Sequence, residues 1–267
     1  MGMHSFAKKL FWIIALSPLL ISQPVFAHVI WFEPLNNNQY EIIFGHPELN
    51  QPEPLLLDKF QEARAYDENK MLIPSTTLFE NDRLFINTNT SVAALTAFYD
   101  NGFWRQNPDD TFDNITQEEA EAINYENVSQ FVKYAKGLYQ WNDTLSQPFG
   151  LPIEIIALEN PFKLQDGDNL PIQVLFEGML IDNPLVEYLG QTISVNEEGI
   201  ALIPIGASGL QVIEASYTDP NSENPTISYA ATFTSQSVPE PQTLGLLITT
   251  TALGINQSFK NRKKKKV

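Results

Sequence analysis

Between residues 28 and 237 the chain is a succession of short apolar runs cut by Pro, Asn, Asp and Gly, the pattern of strands joined by turns. His28 to Phe32 and Gln39 to Phe44 read as the first two strands, with Asn36-Asn37-Asn38 as the turn between them. Ala63 to Tyr66, Arg83 to Asn87 and Val92 to Tyr99 follow. The last of these is expected to stop at Asp100-Asn101-Gly102, a strong turn signal. A helical insertion is predicted next. Thr116 with Glu119 three residues on has the form of a capping box. Phe131, Tyr134, Leu138 and Trp141 then recur at three- and four-residue spacing, so Val128 to Trp141 reads as one face of a helix. That stripe is better suited to the core than to a ligand.

A second β unit is expected from about Pro152. Its strands are Ile153 to Leu158, Leu170 to Phe176, Gln191 to Val195, Ile200 to Pro204, Leu210 to Tyr217 and Thr226 to Thr234. Asp166-Gly167-Asp168 and Glu197-Glu198-Gly199 supply hairpin turns between them. Many short strands without long helices suggest an immunoglobulin-like sandwich. Pro148 and Gly150 break the pattern and mark a boundary. The expected class is therefore all-β, with two β-sandwich-like units and a short helical insertion in the first. The units run from 28 to 148 and from 149 to 237.

The two ends carry a different pattern. Lys8 and Lys9 precede an apolar stretch, Leu10 to Ile21, which closes on Val25-Phe26-Ala27. This is the form of a secretory signal peptide over residues 1 to 27, cut after Ala27. The stretch is shorter than the roughly 18 apolar residues of a membrane-spanning helix. At the other end Val238-Pro239-Glu240-Pro241 is followed by apolar Leu244 to Ile255 and by the basic cluster Lys260 to Lys266, a stop-transfer pattern. In order and place, residues 238–267 resemble the PEP-CTERM sorting signal of Gram-negative bacteria. That resemblance implies recognition by an exosortase and at least transient membrane anchoring, with display in the periplasm or at the cell surface.

Removing both ends changes the charge. All but one of the 32 acidic residues but only eight of the 16 basic ones lie in the body, so its net charge is about −23 against −16 for the whole chain. Such a body repels phosphate backbones and argues against nucleic acid as a partner. It attracts cations. The chain has no cysteine, which excludes disulfides, thiolate metal sites and a cysteine nucleophile.

Histidine is scarce: of three, His4 falls in the signal, leaving His28 and His46. Cleavage after Ala27 would make His28 the first residue, with a free α-amine beside its imidazole. Those two nitrogens can chelate a metal, and the amine, with an unperturbed pKa of about 7.7–8.0, gives up its proton readily. Pairing of the first two strands would bring His46, in Phe44-Gly45-His46-Pro47-Glu48, close to His28. Amine and imidazole donors suit Ni(II), Cu(II), Co(II) or Zn(II), and Glu33 and Glu48 are further oxygen donors in reach of the sequence. Spacing alone favours the ordinary reading, a chain end and a turn residue.

The opening His28-Val29-Ile30-Trp31-Phe32-Glu33-Pro34 resembles that of an exported, DUF4198-like family of unknown function, once described as the substrate-specific component of nickel uptake. The likeness continues through Phe44-Gly45-His46-Pro47, Asp100-Asn101-Gly102-Phe103-Trp104, Lys133-Tyr134-Ala135-Lys136 and Gly150-Leu151-Pro152-Ile153-Glu154-Ile155. It ends in Asp166-Gly167-Asp168-Asn169-Leu170-Pro171 and Val174-Leu175-Phe176-Glu177-Gly178. The resemblance implies an all-β envelope protein tied to nickel or cobalt uptake through a transporter, with His28 and His46 as metal ligands.

Enzyme signatures are missing from the sequence. It has no Gly-x-Ser-x-Gly elbow, no His-Glu-x-x-His helix and no Gly-rich phosphate loop. Acidic pairs such as Asp109-Asp110 carry little weight in so acidic a chain. The expectation is thus a non-enzymatic, anchored protein binding nickel, cobalt or copper. Its rivals are an adhesive or structural envelope module and a copper oxidase using His28 and His46 as a histidine brace.

Overall fold

The computed structural model describes residues 28–35, 38–206 and 209–236. The expected signal peptide and sorting tail lie outside these residues. In chain order the first strands are β1 (Val29–Pro34), β2 (Gln39–His46), β3 (Gln51–Glu53), β4 (Phe60–Tyr66), β5 (Leu72–Ile73), β6 (Ser75–Glu80) and β7 (Arg83–Thr88). Then come β8 (Ala94–Gln106), β9 (Phe112–Ile115), helix α1 (Gln117–Ala122) and β10 (Val128–Leu138). The remaining strands are β11 (Ile153–Ala157), β12 (Asn169–Phe176), β13 (Met179–Leu180), β14 (Leu185–Tyr188), β15 (Gln191–Ile193), β16 (Ile200–Pro204), β17 (Leu210–Thr218) and β18 (Thr226–Gln236). The described residues are all-β apart from α1 and three single-turn helices.

The described strands form three sheets stacked in layers. The central sheet runs β15-β14-β17-β18-β10-β8-β4-β5, and β9 pairs with β8. It takes strands from both sides of the expected boundary at residue 148, joined where β10 and β18 pair in parallel from Ser129↔Thr226 to Leu138↔Ser235. Side chains alternate across a strand, and that alternation sorts the core. Ala97, Tyr99 and Ala135 face one way and pack with Ile30, Phe32, Ile42, Leu84 and Ile86 of the sheet β1-β2-β7-β6. Leu138, Ile213, Ala215, Ala231 and Phe233 face the other way, against Ile153, Ile155, Ile172, Val174 and Ile203 of the sheet built on β11, β12 and β16.

Two sequence expectations are corrected. Val128 to Trp141 is not a helix; its first eleven residues are β10. Both faces of this central strand are covered, so it shows neither the alternation of a half-exposed strand nor a polar side. The three-and-four spacing of Phe131, Tyr134 and Leu138 is coincidental. Tyr134 instead stacks on Phe98 of the neighbouring β8, ring centroids 4.7 Å apart. Asp100-Asn101-Gly102 is also not the end of a strand. β8 continues to Gln106, and the register with β10 shifts between Gln130 and Val132. The Gly102 N–H donates to the Asp100 carboxylate at 2.9 Å, and Gly102 holds φ of 79°, so the turn-forming residues make a β-bulge. The capping box is present as expected: the Glu119 N–H donates to Thr116 Oγ1 at 3.2 Å and caps α1.

Candidate metal centre

The site lies at the open end of the β1–β2 hairpin. Val29 pairs with Gly45, so His28 falls opposite His46. The two ring centroids are 4.3 Å apart with the planes tilted by 50°. The His28 ring also stacks on Phe44 at 5.3 Å, with 11° between the planes.

Beyond His46 the chain turns back on itself. Pro47–Leu49 forms a single helical turn closed by Asn50, which takes a left-handed φ of 51° and donates its N–H to the Pro47 carbonyl. β3 then pairs with β2, Phe44 opposite Glu53. This return delivers the Glu53 carboxylate, whose Oε1 is 2.7 Å from His28 Nε2. Inside the turn, Glu48 Oε1 is 3.1 Å from His46 Nδ1. That distance is within ion-pair reach, yet neither atom has a hydrogen-bond partner and both are buried. One ligand atom from each of His28, His46 and Glu53 lies within 4.8 Å of the others.

The two histidines singled out by the sequence are thus brought together, and Glu48 joins them. Glu33 does not. It is exposed at the far end of β1, opposite Glu41. Glu53 was missed by sequence reasoning, although Pro47 and Asn50 signal a tight return that must bring the next few residues back along β2.

A second group of charges sits on the face of the central sheet that carries the β1–β2 layer. Glu187 of β14 and Glu214 of β17 are direct cross-strand partners, 8% and 9% exposed. Lys133 of β10 is buried in the next row of the same face. Burial, with the charges of Glu48 and Glu187 added, pushes the Glu214 carboxyl up to about 8; Lys133 opposes the shift. Burial first, then Glu48, also raises Glu187. The Lys133 ammonium is brought down to about 8 by burial, against the pull of Glu214. The signal in the sequence was an acid inside an apolar run, in Leu185-Val186-Glu187-Tyr188 and Val212-Ile213-Glu214-Ala215.

A family model described as "Domain of unknown function (DUF4198)" covers residues 25–219. No curated protein matches the chain.

Proposed function

We propose a metal-binding role for this chain, which belongs to the DUF4198 family: it holds one divalent transition-metal ion between His28 and His46. One observation carries this reading. Each imidazole has a ring nitrogen against a carboxylate, His28 Nε2 on Glu53 and His46 Nδ1 on Glu48. A carboxylate hydrogen-bonded to the ring, as Glu53 is to His28, fixes the tautomer and orientation of a metal-ligating histidine and raises its basicity; Glu48 stands at ion-pair distance from His46. The nitrogens left over are His28 Nδ1 and His46 Nε2. His28 Nδ1 is the one that matters for an amine chelate, because only it closes a six-membered ring with a metal on the residue's own backbone nitrogen. Processing after Ala27 would free that nitrogen as an amine and give three nitrogen donors.

Such donors accept nickel, cobalt and copper, and geometry and supply decide among them. The resemblance to an uptake family favours nickel or cobalt, handed to a transporter, with the C-terminal tail and an exosortase keeping the site at the envelope. Protein recovered from the envelope of its own cell type should carry about one such ion per chain, retained by donors that must deprotonate to bind it. Replacing both histidines by Ala should remove the ion. Metal-free parent protein from metal-replete cells would overturn the reading.

A further inference from the structure

We propose that Glu53 is itself a metal ligand wherever the nitrogen of residue 28 is a peptide nitrogen. With His28 Nε2 and His46 it then forms a two-imidazole, one-carboxylate site for an ion of the Zn(II) or Co(II) class. The inference rests on the reading of His28 and His46 as ligands, but it does not require cleavage after Ala27.

The two nitrogens of the His28 ring serve different donors. Glu53 sits opposite Phe44 on β3, and the His28 ring stacks on Phe44, so Glu53 Oε1 comes to 2.7 Å from Nε2. Only Nδ1 closes a chelate ring with the backbone nitrogen of residue 28, and the lone-pair directions of Nδ1 and Nε2 diverge. An ion on Nδ1 and a terminal amine therefore leaves Glu53 outside its ligands. An ion on Nε2 has Glu53 beside it and no amine. An ionised carboxylate only accepts, so in the metal-free protein Nε2 donates a proton to Glu53. An ion that takes the place of that proton meets the nitrogen and the carboxylate together, with the neutral ring carrying its proton on Nδ1.

The third donor is already close. One ligand atom each from His28, His46 and Glu53 lies within 4.8 Å of the others, and no other three His, Asp or Glu residues among the described residues come together in this way. Zn(II) bonds of about 2.0–2.2 Å put two donors of one ion at most about 4.4 Å apart, so closing the group takes only small side-chain rotations. Glu53 is free to make them. Its side chain is 42% exposed, and His28 is its carboxylate's one hydrogen-bond partner among the described residues. Glu48 is not: its side chain is 5% exposed and stands against His46 Nδ1, which leaves His46 Nε2 for the ion. Two imidazoles and a carboxylate suit zinc centres that keep a fourth position open to water. The amine set exchanges that oxygen for a nitrogen, which moves preference toward Ni(II) and Cu(II). What precedes His28 thus selects the metal.

Co(II) is the probe, because its visible absorption reports the donors around it and colourless Zn(II) displaces it. The metal-free chain with one residue added before His28 should bind one Co(II) ion, and Zn(II) should compete for it. In that chain Glu53→Gln should weaken Co(II) by about a hundredfold or more, beyond the cost of losing a carboxylate that only supports a ligand. Glu53→His, which offers a nitrogen in place of the oxygen, should restore binding with the absorption moved to shorter wavelength. In the chain that begins at His28, Glu53→Gln should weaken Co(II) far less, since Gln still accepts from His28 Nε2. No Co(II) binding by the extended chain, an equal loss in both chains, or no rescue by Glu53→His would refute the ligand role of Glu53 and leave the amine-based reading standing. Co(II) binding unchanged by His46→Ala in both chains would instead overturn the reading of the histidines on which the inference rests.

Discussion

Lys136 Nζ lies 2.7 Å from Glu154 Oε1, an ion pair sealed between the central sheet and the β11–β12 layer with both side chains almost wholly buried. Glu154 also accepts backbone N–H bonds from Phe149, Gly150 and Leu151. The ammonium lies over the rings of Phe149 and Phe233, 5.6 Å from each centroid. Lys133, three residues earlier, points to the opposite face of the same strand. The two lysines of Lys133-Tyr134-Ala135-Lys136 thus serve different layers: one faces the acid cluster behind the histidines, and the other ties down the segment between β10 and β11.

Lys136→Met leaves Glu154 buried without its counter-ion. Breaking a buried pair from one side costs about 3–5 kcal/mol, and urea unfolding should show a loss of that order. Glu154→Ala should be at least as damaging, because three backbone N–H groups also lose their acceptor. Nearly unchanged midpoints for both would mean the pair does not hold the layers together.

Gly45 shows how closely the site depends on one backbone position. Its φ is 140°, and a Cβ there would run into the Gln51 carbonyl of the paired β3. Gly45→Ala should therefore destabilise the protein by more than about 1 kcal/mol, since the native φ is closed to Ala. It should also displace Glu53 from His28. Thermal unfolding and metal titration of the same preparation check both halves of this expectation.

The pH dependence of the metal-free protein should carry the mark of the buried acid. Glu214 is raised from 4.5 to about 8, so between those values the folded state holds a proton that the unfolded state has lost. Stability should then be highest on the acid side of this window and fall as pH rises through it. Lys133 is lowered from 10.5 to about 8, so its term runs the other way and stability recovers between 8 and 10.5. Glu214→Gln should flatten the fall between pH 5 and 8, as followed by denaturant midpoints. A parent curve already flat there would contradict the burial argument.

Much of this was legible in the chain. Alternation and turn residues located β1, β2, β7, β12, β16, β17 and β18, and the hairpin reading alone placed His46 beside His28. What failed did so for a physical reason. A strand covered on both faces, such as β10, loses the period that identifies it, and the aromatic spacing imitates a helix. The parallel β10–β18 pairing joins residues about a hundred positions apart, and no local signal encodes it. β3 is three exposed residues with a central proline, so neither it nor the arrival of Glu53 could be read from propensity. Glu187 and Glu214 lay in plain view but needed the register of β14 and β17 to become neighbours.

The tail, Pro239-Glu240-Pro241 with its apolar run and lysine cluster, is proposed as the sorting and anchoring segment. Deleting residues 238–267 should release the protein from the membrane fraction into the periplasm or medium, measured by fractionation and blotting. A truncated form that stays fully membrane-bound would refute the assignment. Such a result would leave the metal site untouched.

The most direct measurement is calorimetric titration of Ni(II) and Cu(II) into three proteins: chain beginning at His28, its His46→Ala variant, and the same chain with one residue added before His28. If the α-amine, His28 and His46 share one ion, the parent should bind tightly with one ion per chain at this centre. The His46 variant should bind more weakly through the remaining two-nitrogen chelate, and the extended chain should weaken by a comparable factor. The extended chain should unfold at a midpoint close to the parent's, since changes at an exposed chain end usually alter stability by less than about 0.5 kcal/mol, whereas His46→Ala removes a largely buried ring and should lower the midpoint while leaving the protein folded at the temperature of the titration. Three superimposable binding curves, or a parent that binds neither metal, would contradict the account.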